Sequence, residues 1–485
     1  MSFDVRSGAW PVESIRKAER AAMGSLPAGG LMRRAAAGLA RRCAALLADS
    51  GGVYAAPVVL LVGGGDNGGD ALFAGASLAR RGAVVRAIAG VQDERVHRPG
   101  LAALRAAGGR LVELEAVRQK RPALVVDGLL GIGGHGGLRP DAARLGEAAM
   151  RWRADGAVVV AVDLPSGVDA DTGEVAGVAI TADVTVAFGS LKTGLLVGEG
   201  AVRAGLVELV DIGLSFDQPP AVALVTAEAV DRWWPRPGPG DDKYTRGVVG
   251  LAAGSSTYPG AAVLSTGGAL SGPAGYVRYA GAAGDAVRAA HPEVVCSASV
   301  AEAGRVQAWV VGSGLGTDDD ATDAVRRVLA SDVPVLLDAD GLTIVAQHLD
   351  WLRDRSAPTV LTPHDREFAR IAGEVGADRV GAARRAAADL GVTVLLKGYR
   401  TVVAGAEGPA YAVAAGVPEL ATAGTGDVLS GVIGSLLAGG VPAAEAAAAG
   451  AFVHGTAGRL AAEKGPVVAS RVLAELPDAV HTVLG

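Results

Sequence analysis

The chain has 485 residues, half of them hydrophobic and a fifth charged, so it is too long for one ordinary domain and too apolar for disorder. Its formal net charge of −6, with no basic face in the sequence, argues against a nucleic-acid partner. Two cysteines, Cys43 and Cys296, exclude a disulfide framework or a Cys-rich zinc site and suit a reduced, cytoplasmic protein.

Asp4, Arg6 and Glu13 interrupt any apolar leader at the start. From Pro11 to Asp49 the pattern predicts two helices, and Arg33, Arg34, Arg41 and Arg42 read as a solvated helix face. Apolar runs then come at Val58 to Val62, Val84 to Ala89, Leu124 to Asp127, Val158 to Asp163 and Val184 to Phe188. Helical stretches separate most of them, which predicts an α/β domain with a buried parallel sheet. The stretch from Phe216 to Ala221, with Asp217, Pro219 and Pro220, reads as a linker, and Trp233 to Asp242 is again rich in Pro and Gly. A second βα series follows, with apolar runs at Val248 to Ala253, Ala308 to Gly312, Val333 to Asp338, Thr359 to Leu361 and Val392 to Leu396. The expected division is therefore into residues 1–219 and 220–485. The Ala-rich stretch from Val432 to Val453 contains Gly439, Gly440, Pro442 and Glu445 and reads as two buried helices, not a membrane span.

Chemistry concentrates where strands end. Gly63, Gly65 and Gly68 follow a strand and open a helix, a spacing that lets backbone N–H groups approach a phosphate. The next strand ends without the acidic residue of a hydride-transferring dinucleotide fold. Asp127 closes another strand and leads into a Gly-rich loop, and Asp163 leads into Pro165-Ser166-Gly167. Carboxylate, amide and hydroxyl oxygens at three such ends can hold a hard cation, and a carboxylate can move protons. Each Asp alone could equally cap a turn. Gly63 to Asp70, Val126 to Gly134, Asp163 to Gly173 and Phe188 to Gly194 resemble the NAD(P)H-hydrate epimerase family, from about Val12 to Gly213. The resemblance implies a Rossmann-like domain in which Asp66, Asn67, Gly68, Gly69 and Asp70, the loop Gly131, Ile132, Gly133, Gly134, His135, Gly136 and Gly137, and Asp163 hold the hydrate. It implies a potassium ion (K+) on Asn67, Asp127 and Ser166, with proton transfer by Asp163 or a neighbour. The family usually has Asn where Asp66 stands and Gly where Ala71 stands.

In the second half, Gly424-Thr425-Gly426-Asp427 precedes an apolar helical stretch. Its N–H groups and helix dipole suit an anion, and Asp427 beside them could take the proton of an attacking hydroxyl. No phosphate-binding loop of the G-x-x-x-x-G-K-[ST] type occurs. With Lys243 to Gly247, Gly254-Ser255, Tyr258 to Ala262, Gly312 to Gly316, His364 and Lys397-Gly398, this half resembles the ribokinase-like superfamily, and within it the ADP-dependent NAD(P)H-hydrate dehydratases. That resemblance implies Ala262, Gly314 and His364 on the hydrated nicotinamide nucleotide. Lys397, Gly398, Tyr399, Arg400, Thr401, Gly424, Thr425 and Gly426 would bind the adenine nucleotide, with Asp427 as base. It implies the hydrates of NADH and NADPH (NADHX and NADPHX) as substrates and ADP as phosphoryl donor, the bacterial choice that the Ala/Gly/Arg-rich usage suggests. Phosphoryl transfer calls for Mg2+ to neutralise charge, and a homo-oligomer without nucleic-acid or membrane partners is expected. The competing reading is a ribokinase-like vitamin-precursor kinase fused to a nucleotide-binding module without catalysis, which Asp66 and Ala71 would favour.

Overall fold

The computed structural model describes residues 7–92, 95–117 and 121–485. Asp4 and Arg6 lie outside the described residues. Two compact units emerge, Met1–Val222 and Ala223–Gly485, so the division falls just past Pro219 and Pro220.

In the first unit a two-residue strand β1 (Gly8–Ala9) is followed by the two expected helices, Val12–Ser25 and Gly30–Asp49. The sheet contains β2 (Pro57–Val62), β3 (Val84–Ala89), β4 (Arg110–Leu111), β5 (Leu124–Gly128), β6 (Val158–Val162), β7 (Val184–Phe188) and β8 (Leu206–Val210). They lie in the order β4-β3-β2-β5-β6-β7-β8, all parallel. The central strands are apolar at every position because helices cover both faces. Leu60 and Val126 pack into one core, while Leu61 and Val125 pack into the other. The order reverses between β2 and β5, and both strands end beside the Gly63 turn, the crevice where open α/β sheets bind ligands. The arginines are not simply solvated: Arg34 donates to the Ile212 carbonyl (2.7 Å), and Arg42 pairs with Glu208 of β8 (2.8 Å).

The second unit's sheet takes in β9 (Val222–Leu224), β10 (Val248–Ala252), β11 (Tyr276–Ala280), β12 (Val295–Ser297), β13 (Ala308–Val311), β14 (Val335–Leu337), β15 (Thr359–Leu361), β16 (Thr393–Leu396), β17 (Thr401–Ala404) and β18 (Ala410–Val413). The order is β9-β18-β17-β16-β15-β14-β13-β10-β11-β12. From β12 to β16 neighbours are parallel, whereas β16, β17 and β18 form an antiparallel ribbon. The expected Ala-rich pair appears as helices Thr425–Ala438 and Ala443–Glu463, buried along most of their length. Among the described residues no helix is long and apolar enough to cross a membrane.

Candidate functional sites

In the first unit, helix Asp66–Arg80 starts directly after β2. A Cβ on Gly68 would lie 2.3 Å from the Gly63 carbonyl oxygen, so only glycine lets the helix start this close to the strand end. A cavity of about 780 Å³ opens there. Asp66, Asn67, Asp70, Gly131, Ile132, Gly133, Gly134 and Asp163 line it; Gly68, Gly69, His135, Gly136 and Gly137 do not. Gly69 packs towards Met32 and His97, Gly137 against Gly177, and His135 turns outward to Asp169 (2.9 Å). Ala71 is fully buried with its Cβ towards Gly128, under the sheet end, so it takes no space from the cavity.

The proposed cation ligands converge below this cavity. Asp127 is fully buried and accepts hydrogen bonds from the Ser166 hydroxyl (2.6 Å), the Ser166 N–H (2.8 Å) and the Leu129 N–H (3.3 Å). Burial pushes its carboxyl up to about 6 despite those bonds. The Asn67 amide donates to the carbonyls of Leu130 (3.0 Å) and Val162 (2.5 Å), and Ser166 Oγ lies 3.5 Å from the same Leu130 carbonyl. The set is oxygen-rich, with one formal charge and no sulfur or imidazole, which fits a hard, weakly charged ion. Among the described residues, no group of three or more Asp, Glu, His or Cys could hold a metal, so a multi-carboxylate cage is not what the fold offers.

Asp163 sits in the left-handed region (φ +67°), a conformation costly for a residue with a Cβ, right at the sheet's carboxyl end. The strain aims its carboxylate at the cavity, where the Phe188 N–H (2.9 Å) and the buried Lys192 ammonium both donate to it. Lys192 also donates to the carbonyls of Phe188 (3.0 Å) and Ser190 (3.1 Å), so its position is fixed on three sides. Its role was not visible in the sequence, although a Lys within the loop after an apolar strand was a signal. Also missed were Arg16, Glu19 and Arg20 of the first helix, which line the same cavity. Burial and the neighbouring Asp163 raise the Glu19 carboxyl, and burial with Asp163, Asp66 and Glu19 raises Asp70 well above the carboxylate range.

In the second unit a cavity of about 870 Å³ lies between the β16–β17 turn and the start of helix Thr425–Ala438. His364, Lys397, Gly398, Tyr399, Thr401, Thr425 and Gly426 line it; Arg400, Gly424, Asp427, Ala262 and Gly314 do not. Arg400 turns away to the Ala414 carbonyl (2.7 Å). Gly424 is the left-handed N-cap (φ +85°), where a Cβ would also strike Leu264. His364 caps helix Asp365–Ala372: its Nδ1 accepts from the N–H groups of Arg366 (3.1 Å) and Glu367 (3.2 Å), which leaves Nε2–H as the donor. Ala262 is buried beside Gly254, and Gly314 approaches Ala261 and Tyr258, so these two form a separate small cluster.

Asp427 stands between that cluster and the cavity. Its carboxyl is raised to about 6, by burial first and by Asp338 second, with Ser313 (next to Gly314) and Lys397 pulling the other way. Asp338, almost fully buried, accepts from Lys397 Nζ (2.7 Å) and Ser430 Oγ (2.8 Å), so it orients the lysine beside Gly426. Asp340 accepts from the Gly316 N–H (2.9 Å), and Ala339 between the two acids is held at φ +49°. The arrangement offers a cation and N–H groups for phosphates, and beside them a carboxylate tuned to act as base near neutral pH.

A relative from Mycobacterium leprae named bifunctional NAD(P)H-hydrate repair enzyme is 52% identical over 97% of this chain and 98% of its own. This chain belongs to that family. The family described as NAD(P)H-hydrate dehydratase matches residues 249–477, and that described as YjeF-related protein N-terminus matches residues 28–194. A repair-enzyme relative from Corynebacterium glutamicum is 38% identical, covering 79% of this chain and 78% of its own. The second unit also resembles a solved ribokinase-like superfamily protein from Enterococcus faecalis (25% identity, TM-score 0.50, 54% of this chain and 96% of that one). Asn67, Asp127, Asp163 and Ser166 of the first site and His364, Lys397, Gly426 and Asp427 of the second fall in the matched regions, and the repair-enzyme family spans both sites.

Proposed function

We propose that this chain repairs hydrated NADH and NADPH by two successive activities, epimerisation of the R and S hydrates and ADP-dependent dehydration of the S form. The observation that carries the reading is the match to a repair enzyme over 97% of the chain, which leaves neither site outside the shared region. That coverage speaks against a vitamin-precursor kinase with an inert N-terminal module. The epimerase half is assigned to residues 1–219 and the dehydratase half to residues 220–485, in the cytoplasm and as a homo-oligomer.

In the dehydratase half, Gly426, Thr425 and the Lys397 segment receive the nucleotide's phosphates, and His364, Ala262 and Gly314 receive the hydrate. Asp427 takes the proton of the ring hydroxyl as its oxygen attacks the terminal phosphoryl group. The poor leaving group becomes phosphate, and its elimination with a neighbouring ring proton restores the dihydronicotinamide. Mg2+ would be held mainly by nucleotide phosphates and water, with Asp340 as a nearby oxygen donor, and would supply charge neutralisation between donor and acceptor. In the epimerase half, Arg16 and Arg20 offset Asp66 for a pyrophosphate lying at the Asp66–Asp70 helix start. Asp163, held by Lys192, carries the proton to the ring hydroxyl as its C–O bond breaks with help from the adjacent ring nitrogen, and takes a proton back as water adds to the opposite face, so the hydroxyl-bearing carbon inverts. Asn67, Asp127 and Ser166 would hold K+, which orders the loop after β5.

The test is to supply purified R-hydrate with ADP and Mg2+ and follow the return of dihydronicotinamide absorbance. Repair faster than spontaneous epimerisation supports the reading; repair of S-hydrate alone removes the epimerase half, and no repair of either hydrate removes both.

A further inference from the structure

His454 lines the second cavity and has no part in the reaction above. It sits on helix Ala443–Glu463, in the stretch Phe452-Val453-His454-Gly455, and is 7% exposed. Its Nε2 is buried without any hydrogen-bond partner, and among the described residues lining this cavity no other side chain has such an atom. Burying a polar atom unpaired is costly, so the site is built for something the protein itself does not supply.

The surroundings define what that is. At one end of the cavity stand Lys397, Thr425 and Gly426, a cation and a helix N-terminus suited to phosphates. Much of the remaining wall is apolar, with Val413, Val417, Pro418, Leu420, Leu429 and Ala451. The segment carrying Val417 to Leu420 is pressed onto the His454 helix through glycines: a Cβ on Gly455 would lie 2.7 Å from the Gly416 nitrogen, and one on Gly458 2.6 Å from Leu420. An apolar slot of this kind, next to a phosphate nest, suits the flat base and sugar of a nucleotide. The Thr425 backbone beside the ring favours an N–H facing it; with Nε2 unpartnered, a neutral ring protonated on Nδ1 offers Nε2 as an acceptor. Burial, with Lys397 nearby, pushes the ring down to about 4, which keeps it neutral at physiological pH.

We propose that His454 reads the nucleoside of the bound adenine nucleotide, its Nε2 accepting a hydrogen bond from a donor on the base amine or on the 2′-hydroxyl of the sugar. The proposal rests on the second cavity being the nucleotide site. His454 is then a specificity residue and takes no part in proton transfer.

The test is calorimetric titration of the full-length protein with Mg2+ and three nucleotides: ADP, inosine diphosphate, which carries oxygen in place of the base amine, and 2′-deoxy-ADP. Two variants separate the ring nitrogens. His454→Asn keeps an amide near Nδ1, able to hold Thr425, but does not reach the Nε2 position; His454→Gln reaches it. The Asn variant should bind ADP about tenfold more weakly, with the Gln variant recovering most of the loss. For inosine diphosphate (if the donor is the amine) or 2′-deoxy-ADP (if it is the sugar), the Asn variant should match wild type within about twofold, as a double-mutant cycle requires. An Asn variant that binds ADP like wild type, or loses all three nucleotides by the same factor at an unchanged melting temperature, overturns the proposal. Wild type that binds none of the three overturns the nucleotide reading of the cavity itself, and this proposal with it.

Discussion

At Asp427, one carboxylate has to be free at the pH where it works. Its raised value of about 6 comes from burial and from Asp338, so it stays protonated to a higher pH than an ordinary aspartate. The base form is lost as pH falls through that value, so kcat/KM for dehydration should drop about tenfold per unit below about pH 6 and level off above it. A profile flat from pH 5 to 7 would detach Asp427 from the proton transfer. The same shift bears on stability with the opposite sign to a salt-bridged acid: the folded state favours the protonated form, so this contribution is full below about pH 4 and is lost as pH rises to about 6, above which the ionised group leaves the fold less stable. Asp427→Asn should therefore lose about 10²–10⁴-fold in dehydration while melting no lower than wild type at pH 7. Asp127 calls for a different measurement. If Asn67, Asp127 and Ser166 hold K+, potassium chloride should raise the melting temperature relative to tetramethylammonium chloride at equal ionic strength, since an ion that binds only the folded state stabilises it. Asp127→Ala should abolish that difference and slow epimerisation, while dehydration of pure S-hydrate stays normal; a potassium effect that survives Asp127→Ala rules these ligands out.

At the scale of elements, the parts written in local chemistry were readable and the parts written in packing were not. The strand ends carrying Asp127, Asp163 and Asp427's helix start stand out because Gly, Asp and Ser follow apolar runs. Strands β17 and β18 escaped because each is four residues long and antiparallel, and the turn before them, Gly398 to Arg400, looks like any strand-to-helix loop. Lys192 was legible as a residue but its partner was not, because the ion pair to Asp163 joins the ends of two adjacent strands that only the fold brings together. Many glycines also had a second use. In helix Thr425–Ala438, Gly431 presses on helix Pro259–Leu270, where a Cβ would lie 2.0 Å from the Ser265 carbonyl oxygen and 2.6 Å from the Ala269 nitrogen. Both obstacles are backbone, so Gly431→Ala must separate the helices and should cost about 3 kcal/mol in urea unfolding. Gly260→Ala on the facing helix meets nothing within 4 Å and should leave stability unchanged or raise it by up to about 1 kcal/mol. Equal effects of the two substitutions would show that helix propensity, not this close approach, fixes glycine at 431.

For the whole molecule, the question is whether fusion of two sites does more than keep them in one chain. Each unit has its own cavity, and the residues proposed for each reaction lie within one unit. The product of epimerisation is a free small molecule that the dehydratase can capture from solution, so nothing in the chemistry demands that both steps occur on one chain. Two proteins, each disabled in one half, should then complement each other. Lys192→Met leaves the Asp163 carboxylate without its buried cation and should stop epimerisation; Asp427→Asn should stop dehydration. Each alone should repair R-hydrate no faster than spontaneous epimerisation or residual dehydration allows. Mixed at equal concentration with ADP and Mg2+, they should restore R-hydrate repair, with a lag that shortens as the concentration of the Asp427→Asn protein is raised, because the S-hydrate must build up in solution. A wild-type enzyme that shows no lag where the mixture does would mean that the intermediate passes between sites without equilibrating. A mixture that fails to repair R-hydrate, although each protein keeps its intact activity, would mean that the two halves depend on each other within a chain and that their independence is wrong.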